Sequence, residues 1–244
     1  IRYLDGPLLV LAGAGSGKTR VITEKIAYLI EVCGFSPGNI AAITFTNKAA
    51  KEMQARVSKL LADKPSKGLT ISTFHALGVR ILREEARTLG YKPNFSILDS
   101  TDCFAIVSEL AASVDKAVIR KLQSLISNWK SALVSPDQAR KEAQNDTELL
   151  AANAFASYSA TLQAYQAVDF DDLIALPVAL FENHPEVREK WQNRLRYLLI
   201  DEYQDTNTSQ YRLLKLLAGP RAAFTAVGDD DQAIYGWRGA DIEN

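Results

Sequence analysis

The sequence has 244 residues, 47% hydrophobic and 23% charged, with a formal net charge of −1. That length allows one large domain or two small ones, and the composition excludes a disordered chain. No apolar stretch approaches the roughly 18–20 residues of a membrane helix, and Ile1, Arg2, Tyr3 and Asp5 do not open a signal segment, so a soluble cytoplasmic protein with no membrane partner is expected. Cys33 and Cys103 stand far apart with only His75 and His184 to help them. Neither a zinc cage nor a disulfide framework is supported, and both cysteines are expected as buried thiols. The charge is uneven, because residues 1–75 hold ten Lys and Arg against five Asp and Glu. This net +5 suits a polyanion only if it is gathered in a local groove.

In chain order, Leu8 to Ala12 is a short apolar run, Gly13 to Gly17 a small-residue loop, and Ile22, Ile26, Leu29 and Ile30 give helical spacing from Lys18 onward. Ile40 to Thr44 reads as a buried strand, followed by an amphipathic helix from about Asn47 with Met53, Val57, Leu60 and Leu61 on one face. Lys64 to Gly68 is a turn, Leu69 to Ser72 a third strand, and Phe74 to Leu89 a helix. Beyond Gly90 the pattern is almost wholly helical as far as Asn193, apart from a short Phe95–Leu98 run. Ser135-Pro136-Asp137-Gln138 marks a helix start, and Leu149 to Val168 is Ala-rich and helical. Strand character returns at Arg196 to Ile200 and Ala222 to Val227, with a helix over Thr208 to Leu217 between them. The fold class expected is α/β, a parallel sheet covered on both faces and interrupted by a mainly helical insertion.

Ala12-Gly13-Ala14-Gly15-Ser16-Gly17-Lys18-Thr19 fits the P-loop pattern except that Ala stands first where the strict form has Gly. Its backbone N–H groups suit an anion, Lys18 can reach β- and γ-phosphates, and Thr19 can offer a hydroxyl to Mg²⁺. Tyr197 to Ile200 is an apolar strand ending in Asp201 and Glu202. Asp201 can hold the Mg²⁺ shell and Glu202 can polarise water, a division that indicates hydrolysis. A further strand ends at Gly228-Asp229-Asp230-Asp231-Gln232, where Gln232 could sense the γ-phosphate. Tyr235, Trp237 and Arg238 follow as a base-stacking platform, although core burial suits either aromatic taken alone.

Together these residues resemble superfamily 1A DNA helicases of the Rep, UvrD and PcrA type, with an α/β RecA-like P-loop lobe. The resemblance rests on six motifs in order: Ala12 to Arg20, Thr44 to Ala49, Ser72 to His75, Asp169 to Asp172, Asp201 to Asn207, and Gly228 to Gly239. It implies that residues 12–20 bind ATP, with Arg20 against adenine. Thr19 and Asp201 would hold Mg²⁺, Glu202 would act as general base, and Gln232 would link γ-phosphate to DNA. Phe45, Thr73, His75, Tyr235 and Trp237 would form the single-strand track, with Arg238 joining it to the nucleotide.

By the same resemblance the parent moves 3′ to 5′ on single-stranded DNA, unwinds junctions with duplex, and serves DNA replication or repair. An adenine-reading Gln ahead of the P-loop strand and a second RecA-like lobe with arginine fingers are also implied, and neither lies in this sequence. The chain is therefore expected to be an N-terminal portion with little unwinding of its own. It would comprise a lobe of residues 1–80 plus 185–244 and an insertion of 81–184. A small-molecule phosphotransferase, a non-catalytic binding module and an RNA motor remain open alternatives.

Overall fold

The computed structural model describes residues 1–4, 6–13, 17–62, 66–112 and 115–229. Its main sheet has five strands: β1 (Leu8–Leu11), β2 (Ile40–Thr44), β3 (Thr70–Thr73), β6 (Tyr197–Ile200) and β7 (Phe224–Gly228). All pair in parallel in the spatial order β1-β7-β6-β2-β3, with Val10 beside Val227, Ile200 beside Ala226, and Ile43 beside both Ile200 and Ser72. Period-two alternation sends successive side chains to opposite faces, and both faces are covered, which is why the central strands read as unbroken apolar runs. Ala41, Ile43, Leu198, Ile200 and Ala226 enter one core; Ile40, Ala42, Tyr197, Leu199 and Val227 enter the other.

The second of these cores is closed by α1 (Lys18–Glu31) and α2 (Asn47–Leu61), through Ile22, Ile26, Leu29, Met53 and Val57. On the opposite face lie α3 (Phe74–Glu85), α8 (Asp172–Asn183), α9 (Pro185–Arg194) and α10 (Thr208–Ala218), with Trp191 and Phe181 fully enclosed. Several helices start within a few residues of a strand end because the intervening residue is a cap. Thr46 accepts a hydrogen bond from the Ala49 N–H, Thr73 from the Ala76 N–H, and Asn207 shares a capping box with Gln210. Short strand-to-helix connections thus crowd onto the carboxyl edge of the sheet.

Between α3 and α8 lies a mainly helical segment: α4 (Ser100–Leu110), α5 (Lys116–Ser131), α6 (Pro136–Glu142) and α7 (Asp146–Ala164). Ala151, Ala152 and Ala154 let α7 approach its neighbours closely in a core with Leu122, Ile126 and Phe155. The chain leaves and returns through a small parallel ladder, β4 (Ser96–Ile97) with β5 (Ala167–Val168). Here the helix expected over Leu149 to Val168 is corrected. It begins earlier, capped by Asn145, and stops at Ala164, because Gln166 turns into the left-handed region at φ 53° and Ala167–Val168 joins the ladder. Ile81, Ile174, Val178, Leu180 and Phe181 pack with the strand residues Ala41 and Leu198, so helical periodicity had not revealed which core these helices serve.

A buried ion cluster ties the helical segment to the sheet-covering helices. Lys130 on α5 lies 2.6 Å from Asp169 and 2.9 Å from Asp172, and the Tyr158 hydroxyl donates to Asp169 at 2.9 Å. All four residues are buried. A buried cation so paired is held by hydrogen bonds as well as charge, and removal of one partner leaves uncompensated charge.

Helices α3 and α8 approach closely at Gly78, where a Cβ would stand 1.8 Å from the Leu173 carbonyl oxygen. No side-chain rotation relieves a contact with backbone. Gly78→Ala should therefore destabilise the protein by about 1–3 kcal/mol or more, read as a lowered urea midpoint. An unchanged midpoint would show that the two helices separate freely.

Candidate functional site

Parallel pairing places the carboxyl ends of all five strands along one edge, the usual position for ligands in open α/β sheets. β1 leads through Ala12 and Gly13 toward α1, with the Ala12 N–H bonded to the Gly228 carbonyl at 3.0 Å. Gly17 precedes α1 at φ 86°, a conformation that glycine adopts freely, and its carbonyl receives the Arg20 and Val21 N–H groups. Ala14, Gly15 and Ser16 lie outside the described residues, as do Gln232, Tyr235, Trp237 and Arg238.

At the start of α1, Lys18 is buried at 8% exposure, with its ammonium 3.3 Å from an Asp229 carboxylate oxygen and 3.9 Å from Glu202. The Thr19 hydroxyl donates to Asp201 at 3.4 Å. Five residues separated by up to 211 positions are thus gathered around one small volume at the ends of β1, β6 and β7. Arg20 does not join them. Its side chain points into solvent and pairs with Glu24 one helical turn on, at 3.5 Å.

Two residues that the sequence reading had given no role complete the cluster. Gln204 donates from Nε2 to Glu202 at 2.7 Å and accepts at Oε1 from the Asp229 N–H at 3.0 Å. Glu202 itself has φ 51°, a left-handed conformation that is strained for a residue with a Cβ. A 3₁₀ turn, Tyr203–Asp205, follows. The signal for Asp229 was present as an acid at a strand end, the same pattern that marked Asp201.

The acids outnumber the nearby cation. Burial, then the Glu202 charge, push Asp201 up to about 6, despite its Thr19 hydrogen bond and Lys18. Asp205 is also raised to about 6 by burial and then Glu202, and its Oδ1 has no hydrogen-bond partner among the described residues. A cation with room for oxygen ligands fits this deficit. Mg²⁺ takes few protein oxygens and keeps waters or phosphates. The Thr19 hydroxyl and Asp201 carboxylate, facing each other at the head of α1, provide the donor types it needs.

Beside this cluster the edge continues as a groove of about 430 Å³. Phe45, at the end of β2, stacks at a tilt on Phe74 at 5.4 Å, and the His75 ring lies 5.2 Å from Phe170. Phe170 is exposed and faces across from the β5–α8 connection; it lies in the Asp169–Asp172 motif but had been given no role of its own. Phe45 and His75 do line the groove, together with Asp205 and Asn207 from the segment after β6. Thr73 does not. It is buried at 7% exposure, with its hydroxyl accepting the capping hydrogen bond of α3.

A parallel sheet with a P-loop position at β1 and an acid pair at the end of β6 defines a RecA-like P-loop lobe. The UvrD/REP helicase N-terminal domain model matches residues 1–244, and the chain belongs to that family. It is 54% identical over 247 aligned positions to proteins called ATP-dependent DNA helicase Rep from Salmonella typhimurium and from Escherichia coli K12. The ATP-dependent DNA helicase PcrA of Staphylococcus epidermidis is 48% identical over 248 positions. Each comparison covers 100% of this chain but only 37% of the two Rep sequences and 34% of PcrA, so the chain spans about a third of its relatives' length. No helix among the described residues is long and apolar enough to cross a membrane.

Acid crowding predicts an unusual pH dependence. Asp171, Asp172, Asp201 and Asp205 are each raised to about 6, in every case first by burial. An acid whose folded pKa exceeds its unfolded value, near 4, binds more protons when folded, so stability falls as pH rises through that window. Glu84, lowered to about 2 first by its Arg194 hydrogen bond, acts oppositely, but mainly below pH 4.5. Urea denaturation without nucleotide or divalent cation should therefore give greater stability at pH 5 than at pH 7.5. A midpoint that rises between those values would contradict the acid crowding.

Proposed function

We propose that this chain is the N-terminal ATP-binding portion of an ATP-dependent DNA helicase that hydrolyses ATP with Mg²⁺ to move 3′ to 5′ on single-stranded DNA. The observation that carries the reading is the adjacency, along one sheet edge, of the Lys18–Thr19–Asp201–Glu202 cluster and an aromatic groove. The family membership and the names of the relatives support it. Junctions of single-stranded with duplex DNA, and a second lobe supplying arginine fingers, follow from the same reading. We place the boundary between lobe and insertion near residues 90 and 170, where the core around the sheet gives way to the core of the inserted helices.

In the proposed mechanism Lys18 exchanges its contacts with Asp229 and Glu202 for β- and γ-phosphate oxygens, which the two carboxylates presently replace. The backbone of residues 12–17 would receive the remaining phosphate oxygens. Thr19 and Asp201 would hold Mg²⁺, which supplies charge neutralisation at the β- and γ-oxygens. Glu202, freed from Lys18, orients and deprotonates the attacking water. Gln232, by position in its motif, would report the γ-phosphate, and Arg20 the adenine. The exposure of Arg20 leaves its face open to a base.

On the groove side, Phe45, His75 and Phe170 offer ring faces, and Tyr235, Trp237 and Arg238 would extend the track. Stacking on ring faces is tolerant of base sequence, as a translocating protein requires. Thr73 supports the track by fixing the start of α3 beneath His75. The rival readings lack this support: a small-molecule phosphotransferase needs no aromatic groove, and a pure binding module needs no Glu202 held beside the P-loop lysine.

Two measurements test the reading. In a protein carrying this chain within the full length of its relatives, Glu202→Gln should leave ATP affinity largely intact while turnover falls about 10²–10⁴-fold. Lys18→Ala should instead remove most nucleotide affinity. Retained turnover in both would refute the nucleotide assignment. For the groove, Phe170→Ala and Phe45→Ala should each weaken binding of mixed-sequence single-stranded DNA by about 1–3 kcal/mol without unfolding the chain. Unchanged affinity in both folded variants would remove the groove from the track.

A further inference from the structure

Four groups close a ring at the nucleotide end of the sheet edge. Glu202 accepts from Gln204 Nε2 at 2.7 Å, Gln204 Oε1 accepts from the Asp229 N–H at 3.0 Å, Asp229 holds Lys18 at 3.3 Å, and Lys18 returns to Glu202 at 3.9 Å. Two of these four links depend on Lys18, and both are surrendered when phosphates take its ammonium. The other two belong to the Gln204 carboxamide, a neutral group with no role in binding a phosphate. Neither depends on Lys18.

The geometry points to Gln204 as a positioning residue, whose carboxamide fixes the Glu202 carboxylate to the end of β7 and so aims it at the attacking water. The inference rests on the reading of Glu202 as the group that activates water. It explains three features together. Glu202 is held in a strained left-handed conformation, which persists only where neighbours over-determine it, and the 2.7 Å hydrogen bond is one such restraint. Gly228 has no Cβ, and one placed there would stand 2.8 Å from Gln204 Oε1. The glycine at the end of β7 thus makes room for the amide. Asp229, finally, offers its backbone N–H to Gln204 and its side chain to Lys18, so the two arms of one residue touch both neighbours of Glu202.

The amide is also the right chemical group. A carboxamide presents a donor and an acceptor at once, so it can bond a carboxylate on one side and a backbone N–H on the other. Glutamate at the same position keeps the acceptor toward Asp229 but sets a second carboxylate against Glu202. Methionine keeps approximate length and loses both bonds. The segment from β7 into residues 230–244 carries Gln232 and the proposed stacking residues in sequence. A movement of the β7 end is therefore transmitted to the water-activating carboxylate through Gln204.

The test is steady-state ATPase in a protein carrying this chain within the full length of its relatives, with melting curves for each variant. Gln204→Met and Gln204→Glu should lower kcat by about 10- to 100-fold, the scale of a displaced catalytic group, with KM for ATP changed less than about 3-fold. Neither substitution should lower kcat further when Glu202→Gln is already present, because a residue acting through Glu202 has nothing left to position. An unchanged kcat, a rise in KM alone, losses that multiply in the double variants, or failure of both single variants to fold would each overturn the inference. These outcomes differ from failure of the underlying reading, in which Glu202→Gln itself would leave turnover intact.

Discussion

Parallel pairing is the constraint on which the rest of this structure depends. Because all five strands run the same way, the chain must cross back after each one, and each crossover needs a helix or a longer excursion. Helices then cover both faces, which removes water from the sheet and leaves its carboxyl edge as the one place where strand-end loops meet. Lys18, Phe45, His75, Asp201 and Asp229 are remote in sequence, yet each lies at or just beyond the end of a strand. Even the long helical excursion obeys this rule, since it leaves after α3 and returns through α8 and α9 to start β6 beside β2.

At that edge carboxylates outnumber the cations that face them. Asp201, Glu202, Asp205 and Asp229 surround a single buried lysine, and burial raises two of these acids to about 6. Such crowding opposes folding at neutral pH, whereas a core free of acids would not. The Lys130 cluster shows the structural counterpart, in which carboxylates are bonded to one cation at 2.6 and 2.9 Å and Tyr158 adds a further donor. There the donors are supplied from within the chain. At the edge, Asp205 Oδ1 has no partner among the described residues, and Asp201 meets only a 3.4 Å hydroxyl and its neighbour's N–H.

What could be read from sequence was local. Ile40 to Thr44 and Tyr197 to Ile200 are short apolar runs closed by polar residues, and both were found as buried strands. Gly17, Lys18 and Thr19 signal their chemistry by adjacency. What could not be read depends on partners far along the chain. Gln204 bonds Asp229 across 25 residues, Lys130 bonds Asp169 across 39, and Phe170 meets His75 from the β5–α8 connection. Helical periodicity shows that α3 and α8 have an apolar face but not which core receives it, and both pack on the core that the sheet shares. The end of α7 was missed because an Ala-rich sequence continues to favour helix through Ala167, and only pairing with Ser96–Ile97 makes a strand the better use of Ala167–Val168.

The two halves of the edge are joined by very little chain. Glu202 belongs to the Lys18 end, whereas Asp205 and Asn207 already line the aromatic groove. A 3₁₀ turn rises about 2 Å per residue, so Tyr203–Asp205 spans the interval as one stiff turn with few internal adjustments open to it. Its ends are fixed on both sides: Gln204 reaches Glu202 and the β7 end, and the Thr206 hydroxyl donates to the Tyr203 carbonyl at 2.8 Å. Asn207 then caps α10, whose Leu213 and Leu217 are anchored in the core. The residues on the groove side and Glu202 are thus joined by one short hydrogen-bonded turn. Coupling between the proposed nucleic-acid groove and the proposed nucleotide site would need no long-range rearrangement within this lobe, because the segment that forms one wall of the groove carries the proposed water-activating carboxylate at its other end.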